Sequence, residues 1–279
     1  MKFIDFRFRP HTREQLTSLA VAFQDMLLKG RSMEEYLDEE SRPLEEVAAD
    51  LKEHDVMAAV ITGRDIETTF GSLSSNDAVK GFCDAYPDIF KGFVGADPHK
   101  GVKALEEIEH RIKHENFCGV SLDPMHAQLP ANDDKYYRIY ELCNRLQVPV
   151  IITGGPSRYV KGTVLEDAHP KYLDPIARDF PDLKIIVSHG AWPYVNEMIA
   201  LAFRHRNVYM ELSEYETFPQ SQFYVEAANT IIPDKILFAS AHPGVPYADA
   251  IELYKTLPFK EDVLERVMWK NAAEILKLV

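Results

Sequence analysis

Cysteine is scarce in this 279-residue chain: Cys83, Cys118 and Cys143 are the full set, 35 and 25 residues apart, with no C-x-x-C among them. Such an odd, dispersed set frames no disulfide scaffold and suits reduced thiols in a cytosolic protein. Positive charge is short as well, with 31 lysines and arginines against 44 aspartates and glutamates and a net charge of −13. That balance repels phosphate backbones and anionic lipid, which disfavours nucleic acid and membrane surfaces as partners. No run approaches the ~18 apolar residues of a membrane-spanning helix. The opening stretch from Met1 to Pro10 carries charge where a signal peptide needs an apolar segment, so a cytoplasmic location is expected. Linkers rich in Gly, Ser or Pro and short-period repeats are missing too, and residues 1–279 read as one domain.

What is present is an alternation of short β-rich runs with longer amphipathic stretches, the pattern of a parallel sheet built from βαβ units. Eight strands are predicted, at Lys2–Phe6, Val56–Thr62, Lys91–Gly95, Cys118–Leu122, Val148–Thr153, Leu183–Ser188, Asn207–Leu212 and Ile236–Ser240. Most are nearly continuous in Val, Ile, Phe and Ala, as strands covered on both faces require. Helices are predicted from Asn76-Asp77 toward Tyr86 and from Asn132-Asp133-Asp134 toward Leu146, where side-chain oxygens stand ready to accept orphan N–H groups. Asp174-Pro175 and Trp192-Pro193 place proline where a first helical residue tolerates it. The longest interval, between the first two strands, holds helical pieces at Arg13–Lys29 and Ser41–Glu53 around a charged middle and reads as an insertion above the barrel. Eight strands plus a closing helix at Asn271–Leu278 match a (β/α)8 TIM barrel, with a doubly wound open sheet as the alternative, and a barrel puts its chemistry at the strands' C-terminal ends.

Those ends read Arg7 and Arg9, Gly63-Arg64, Asp97, Ser121 with Asp123, Thr153-Gly154-Gly155, His189-Gly190, Glu211 with Ser213, and Ala241-His242-Pro243. Around them the chain resembles the amidohydrolase-related branch of the amidohydrolase superfamily, which includes aromatic-acid decarboxylases such as aminocarboxymuconate-semialdehyde decarboxylase and lactone hydrolases. The resemblance spans nearly the full length. It rests on Ile4-Asp5, Gly92-Phe93 and Asp97-Pro98, Gly119-Val120-Ser121-Leu122 and Val148-Pro149-Val150-Ile151-Ile152. It continues through Ile185-Ile186-Val187-Ser188-His189-Gly190, Asn207 to Ser213, Ile236 to Ser240, and Asn271-Ala272.

The resemblance implies a metal held by His-x-His ending strand one, histidines ending strands five and six and an aspartate ending strand eight. Here those places read Arg7-x-Arg9, Thr153, His189 and Ala241, so one ligand of five remains. A guanidinium has no lone pair to give and repels a cation. We therefore expect no metal and no other cofactor. Two arginines two residues apart share a strand face, and they supply positive charge in a form suited to planar oxyanions. A small carboxylate or phosphate is the expected partner.

Each candidate also has a structural reading. Arg7 and Arg9 could form an internal ion-pair plug with Asp5, which alternation puts on the same face, or with Asp123 or Glu211. His189 is the candidate proton-transfer group, with packing as its other role. Asp123, followed by Pro124, is a candidate base or an arginine's partner. Thr153, Ser213 and His242 complete the substrate-facing set, although His242 beside Pro243 also fits a plain surface loop. The Thr153-Gly154-Gly155-Pro156-Ser157 run lacks a nucleotide fingerprint but could cradle an anion through backbone N–H groups. A triad of Ser213 or Ser240 with His189 and Asp123 lacks the G-x-S-x-G elbow, and Cys118 reads as a core thiol. The acidic cluster Glu34-Glu35, Asp38-Glu39-Glu40 and Glu45-Glu46 reads as a solvated helix face, or a lid with Arg42.

The expected activity is metal-independent hydrolysis of an ester, lactone or amide in a small carboxylated molecule held by Arg7 and Arg9, with His189 or Asp123 activating water. Decarboxylation of a carboxylic acid is the enzymatic alternative, and a catalytically inactive anion-binding barrel is the alternative outside enzymology. Association into a homo-oligomer is compatible with all three.

Overall fold

The structure is a computed structural model that describes residues 1–22, 27–156 and 160–278. Eight parallel strands follow one another in chain order around a single sheet: β1 Phe3–Phe8, β2 Val56–Thr62, β3 Phe90–Gly95, β4 Gly119–Leu122, β5 Val150–Thr153, β6 Ile185–Ser188, β7 Val208–Glu211 and β8 Ile236–Leu237. The ring is nearly closed between the last strand and the first, where the Phe6 N–H donates to the Phe238 carbonyl at 2.9 Å and the Arg9 N–H to the His242 carbonyl at 3.1 Å. This is the TIM barrel expected from the alternation of runs.

Side chains sort to the two faces of the sheet. Ile4, Phe6, Ala58, Val60, Phe93, Ile151, Ile186 and Leu237 pack together inside. Phe3, Phe8, Ile61, Val94, Val120, Val187, Met210 and Phe238 belong to the larger cluster under the helices. Gly119 admits this filling, since a Cβ there would lie 2.4 Å from the Phe93 ring.

The first strand departs from simple alternation. Asp5 pairs with Ala59 and Phe8 with Ile61, so three steps along β1 match two along β2, a bulge. With Phe6 facing the interior, strict alternation would turn Arg7 away; the bulge brings its guanidinium to the barrel mouth and leaves Asp5 beside β8. The sequence expectation that Asp5 shares a face with both arginines is corrected by that extra residue.

β8 is also shorter than predicted. Beyond Leu237 the ladder is replaced by other partners: Phe238 N–H donates to the Val267 carbonyl, and Ser240 N–H to the Asp5 carboxylate.

Among the described residues, helices in the interval after β1 run Arg13–Ala22, Met33–Glu40 and Leu44–Glu53. The charged middle is therefore itself helical, nucleated by a capping box in which Ser32 and Glu35 satisfy each other's backbone N–H groups. Its acids are paired, Glu34 and Asp38 with Arg13, Glu39 and Glu40 with Arg31, while Arg42 holds Asp50 at 2.7 Å. Residues 23–26 of the predicted first helix lie outside the described residues. The helices expected after Asn76 and Asp133 run Asn76–Ala85 and Asp134–Leu146, the second capped by the Asp133 carboxylate. Pro175 falls in the first turn of Leu173–Asp179, but Trp192–Pro193 is a cis bond in a turn, and the next helix starts only at Val195. The last helix, Asn271–Leu276, follows a π-helical turn. Among the described residues no helix is long and apolar enough to cross a membrane.

Candidate active site

At the C-terminal ends of β1 to β5 the barrel opens in a small cleft lined by Arg7, Arg9, Gly63, Arg64, Asp65, Ala96, Ser121, Asp123 and Thr153. Three guanidiniums converge there. Arg7 Nη1 donates to Ser188 Oγ at 2.8 Å, while its Nε is buried without a hydrogen-bond partner. Arg9, only 7% exposed, has no side-chain hydrogen bond or ion pair among the described residues. Burial, with Arg7 and Arg64 close by, pushes its pKa well below the ordinary arginine value. A guanidinium does not deprotonate in proteins, so this push is a cost carried by the folded protein. Arg64, set by the end of β2, meets Asp123 at 3.4 Å, and burial likewise lowers its pKa. Its backbone is seated against Gly95, where a Cβ would come within 2.4 Å of the Arg64 nitrogen.

The carboxylates that might have plugged the mouth are engaged elsewhere. Asp5 accepts from Ser240 N–H, Ser240 O–H and the Arg7 backbone N–H, and its burial raises its pKa to about 7. Glu211 accepts the Ser213 N–H at 2.8 Å and leaves Oε1 buried without a partner. Asp65 is taken by Lys100 at 2.7 Å. Asp123 faces the guanidiniums, with Glu214 as a second carboxylate acting on Arg9, and it also accepts from His126 Nδ1–H at 2.8 Å. Burial works to raise its pKa, but His126, Arg64 and Arg7 outweigh it and hold the carboxyl below the usual carboxylate range. A carboxylate so stabilised is a weak proton acceptor, and the structure pairs Asp123 with Arg64 and His126.

His189 follows β6 directly and is 8% exposed. Its Nδ1 lies 2.8 Å from the Ser213 carbonyl, which can only accept, so Nδ1 carries the hydrogen and Nε2 keeps its lone pair. Burial and the charge of Arg7 lower its pKa below the ordinary histidine value. The ring stands edge-on to Tyr215 at 5.2 Å, and Trp192 stacks on Tyr215. His189 is thus an imidazole biased toward its neutral form, outside the residues that line the cleft but adjacent in sequence to the serine that Arg7 holds.

Thr153 lines the cleft as expected. Ser213 does not: it is fully buried on the Nδ1 side of His189, with its hydroxyl 3.2 Å from that nitrogen, and orients the imidazole. His242 also lies off the cleft. It stacks on Phe8 at 4.8 Å and against His11 at 4.3 Å, and burial lowers its pKa to about 3. The reason is the β1 pattern, since Phe8 points into the outer layer. Gly154 and Gly155 let the β5 loop approach β6: a Cβ on Gly155 would sit 3.1 Å from that of His189. Ser157, the end of that glycine-rich run, lies outside the described residues. No triad forms, because Ser240 is bound to Asp5 and Asp123 to His126. Burial drives the thiols of Cys83 and Cys118 up to about 12, which suits core positions rather than nucleophiles. The sequence placed Arg64 in the strand-end set without giving it a role, and Ser188 and His126 went unmarked as site residues.

Residues 10–278 match the profile of the amidohydrolase family. The chain belongs to that family. Among solved structures, this chain is similar to the uncharacterized TIM-barrel protein Bb4693 from Bordetella bronchiseptica, at 28% identity over 99% of both chains with a TM-score of 0.79. It is also similar to 2,6-dihydroxybenzoate decarboxylase from Rhizobium (16% identity, 99% and 98% coverage, TM-score 0.70). A third relative is 5-carboxyvanillate decarboxylase from Novosphingobium aromaticivorans, solved with manganese (15% identity, 99% and 95% coverage, TM-score 0.71). At such identities the two decarboxylases show the shared fold alone. None of the curated proteins matches the chain significantly.

Manganese in such a relative poses a test for this family member. A divalent ion needs several deprotonated N, O or S donors converging on one point. Among the described residues no three His, Cys, Asp or Glu side chains form such a group, and the mouth presents Arg7, Arg9 and Arg64 instead. The donor set does not fit a divalent cation.

Proposed function

We propose that this amidohydrolase is an enzyme that hydrolyses an ester, lactone or amide bond in a small carboxylated molecule without a divalent metal. The observation that carries the reading is Arg9, a buried guanidinium with no acceptor among the described residues and two further guanidiniums beside it. A buried charge requires a partner, and a bidentate carboxylate matches the donor geometry of arginine. Arg9 and Arg64 hold the substrate carboxylate, with Thr153 and Ser121 as neutral donors along the cleft wall. His189 Nε2 takes a proton from water as its oxygen adds to the carbonyl carbon. The charge that develops on the carbonyl oxygen is met by Arg7, whose orientation is preset by Ser188. Collapse expels the alkoxide or amine, which recovers the proton from the imidazolium.

The tautomer of His189 is what favours hydrolysis over decarboxylation. Replacing CO2 by hydrogen on carbon calls for a proton donor, whereas His189 is neutral with its free nitrogen unprotonated and Asp123 is held ionised. Two arginines on the departing carboxylate would also stabilise the ground state. Decarboxylation stays as the second reading because relatives of the same fold carry that activity in their names, and in it the clamp holds a second carboxylate.

The test is a thermal-shift and turnover screen with mono- and dicarboxylates, phosphorylated acids, carboxylated lactones, esters and amides, repeated on Arg9→Ala and His189→Ala. Loss of ligand stabilisation in Arg9→Ala and of turnover alone in His189→Ala is expected. Carbon dioxide release from an acid, with the lactones inert, would move the assignment to the second reading. No ligand response in the wild-type protein would contradict both.

A further inference from the structure

Both arginines of β1 are tied through their backbones to one buried hydrogen-bond chain. The Arg7 N–H donates to Asp5 Oδ1 at 3.0 Å, and Asp5 Oδ2 accepts from Ser240 Oγ at 2.5 Å. Ser240 Oγ in turn accepts the His242 N–H at 2.9 Å, and the His242 carbonyl accepts the Arg9 N–H at 3.1 Å. A second tie joins Ser240 N–H to Asp5 Oδ1 at 3.0 Å. Asp5 and Ser240 are wholly buried. Ala241, between Ser240 and His242, is held at φ 55°, a left-handed conformation that a residue other than glycine keeps only under outside restraint.

This chain coincides with the bulge of β1 and with the seam where β8 gives up its ladder. Asp5 stands in for the backbone acceptor that the bulge removes, and Ser240 carries the restraint across the seam. Among the described residues these hydrogen bonds are what hold the extra residue that rotates Arg7 from the outer face to the mouth. We propose that the Asp5–Ser240 pair is the positioning unit of the anion site, setting the direction of the Arg7 guanidinium and its spacing from Arg9. The inference rests on the carboxylate-binding reading above.

The experiment compares wild type, Asp5→Ala, Asp5→Asn and Ser240→Ala. Benzoate affinity is measured by calorimetric titration at a temperature where circular dichroism shows each protein folded, and crystal structures of the variants are solved. Asn keeps an acceptor for the two N–H groups and turns a donor toward Ser240 Oγ, so it should bind benzoate close to the wild-type affinity. Asp5→Ala and Ser240→Ala should weaken binding by roughly 10²-fold, the scale of an ångström-sized misplacement, and lose the contact of Arg7 Nη1 with Ser188. If Asp5→Ala does not fold, Ser240→Ala carries the test. A folded Asp5→Ala or Ser240→Ala protein that binds benzoate like wild type, or that keeps the Arg7–Ser188 contact, overturns the proposal. If wild type itself binds no benzoate, the functional reading fails, and the Arg7–Ser188 contact in the variant crystals still decides this one.

Discussion

Replacing Arg9 with methionine should make the unliganded protein more stable while removing its affinity for carboxylates. Met keeps the length of the aliphatic stem, so little packing is lost, and it removes a buried charge with no side-chain hydrogen bond or ion pair among the described residues, on which Glu214 and Asp123 act without direct contact. Exchanging buried charged groups for apolar ones of similar volume yields about 1–4 kcal/mol where the charge is poorly compensated. For a chain of this size a kilocalorie moves the melting temperature by roughly 2 °C, so a rise of about 2–8 °C is expected. Wild type should gain about 2.7 kcal/mol at a ligand concentration of 100 Kd, roughly 5 °C, and Arg9→Met should gain nothing. Scanning calorimetry in a buffer free of carboxylate and phosphate, with and without benzoate, reads both effects. A variant that melts several degrees below wild type without ligand would refute the reasoning, because it would mean that Arg9 is compensated within the protein.

Three further outcomes follow from the same geometry. In the proposed hydrolysis His189 is the base, and its pKa lies below the ordinary ~6.5, so kcat/KM should hold level through pH 7 and fall on acidification with a midpoint under that value; a fall on the alkaline side alone would contradict it. Asp5 has a folded pKa raised to about 7 against 3.8. The folded state then holds the extra proton, so the stability linked to this group is complete at the acid end and is lost progressively as the pH climbs toward 7. In denaturant unfolding, Asp5→Asn should gain on wild type over that window, and a pH-independent difference would count against the burial argument. Gly95→Ala places a methyl group against the Arg64 backbone, which must shift; titration should show weaker benzoate binding beyond the ~1–3 kcal/mol cost of overpacking seen in stability.

The barrel was legible because its signals are local and repeated: β-rich runs, caps such as Asp133, and polar residues at each strand end. The arginine cleft was legible for the same reason, since residues at the ends of parallel strands must meet at one mouth. What the sequence could not convey is the bulge in β1. Two-residue alternation places Asp5 with Arg7 and Arg9, and only the pairing with β2 shows the extra residue that separates them. The roles of Ser213 and His242 were misread for a related reason. A position at a strand end does not say whether the side chain faces the cleft, the imidazole behind it, or the outer layer against Phe8. Arg64 and His126 become site residues through Asp123, a contact between chain segments that no local pattern encodes.

The central claim is that guanidiniums hold an anion at the mouth of this barrel in place of an inorganic cation. Calorimetric titration of benzoate into wild-type protein, before and after exhaustive treatment with a chelator and with metal content measured on the same samples, tests it most directly. The account predicts one dissociation constant in both samples, unchanged on adding manganese or zinc. Binding that disappears with the metal and returns when manganese or zinc is restored would contradict it.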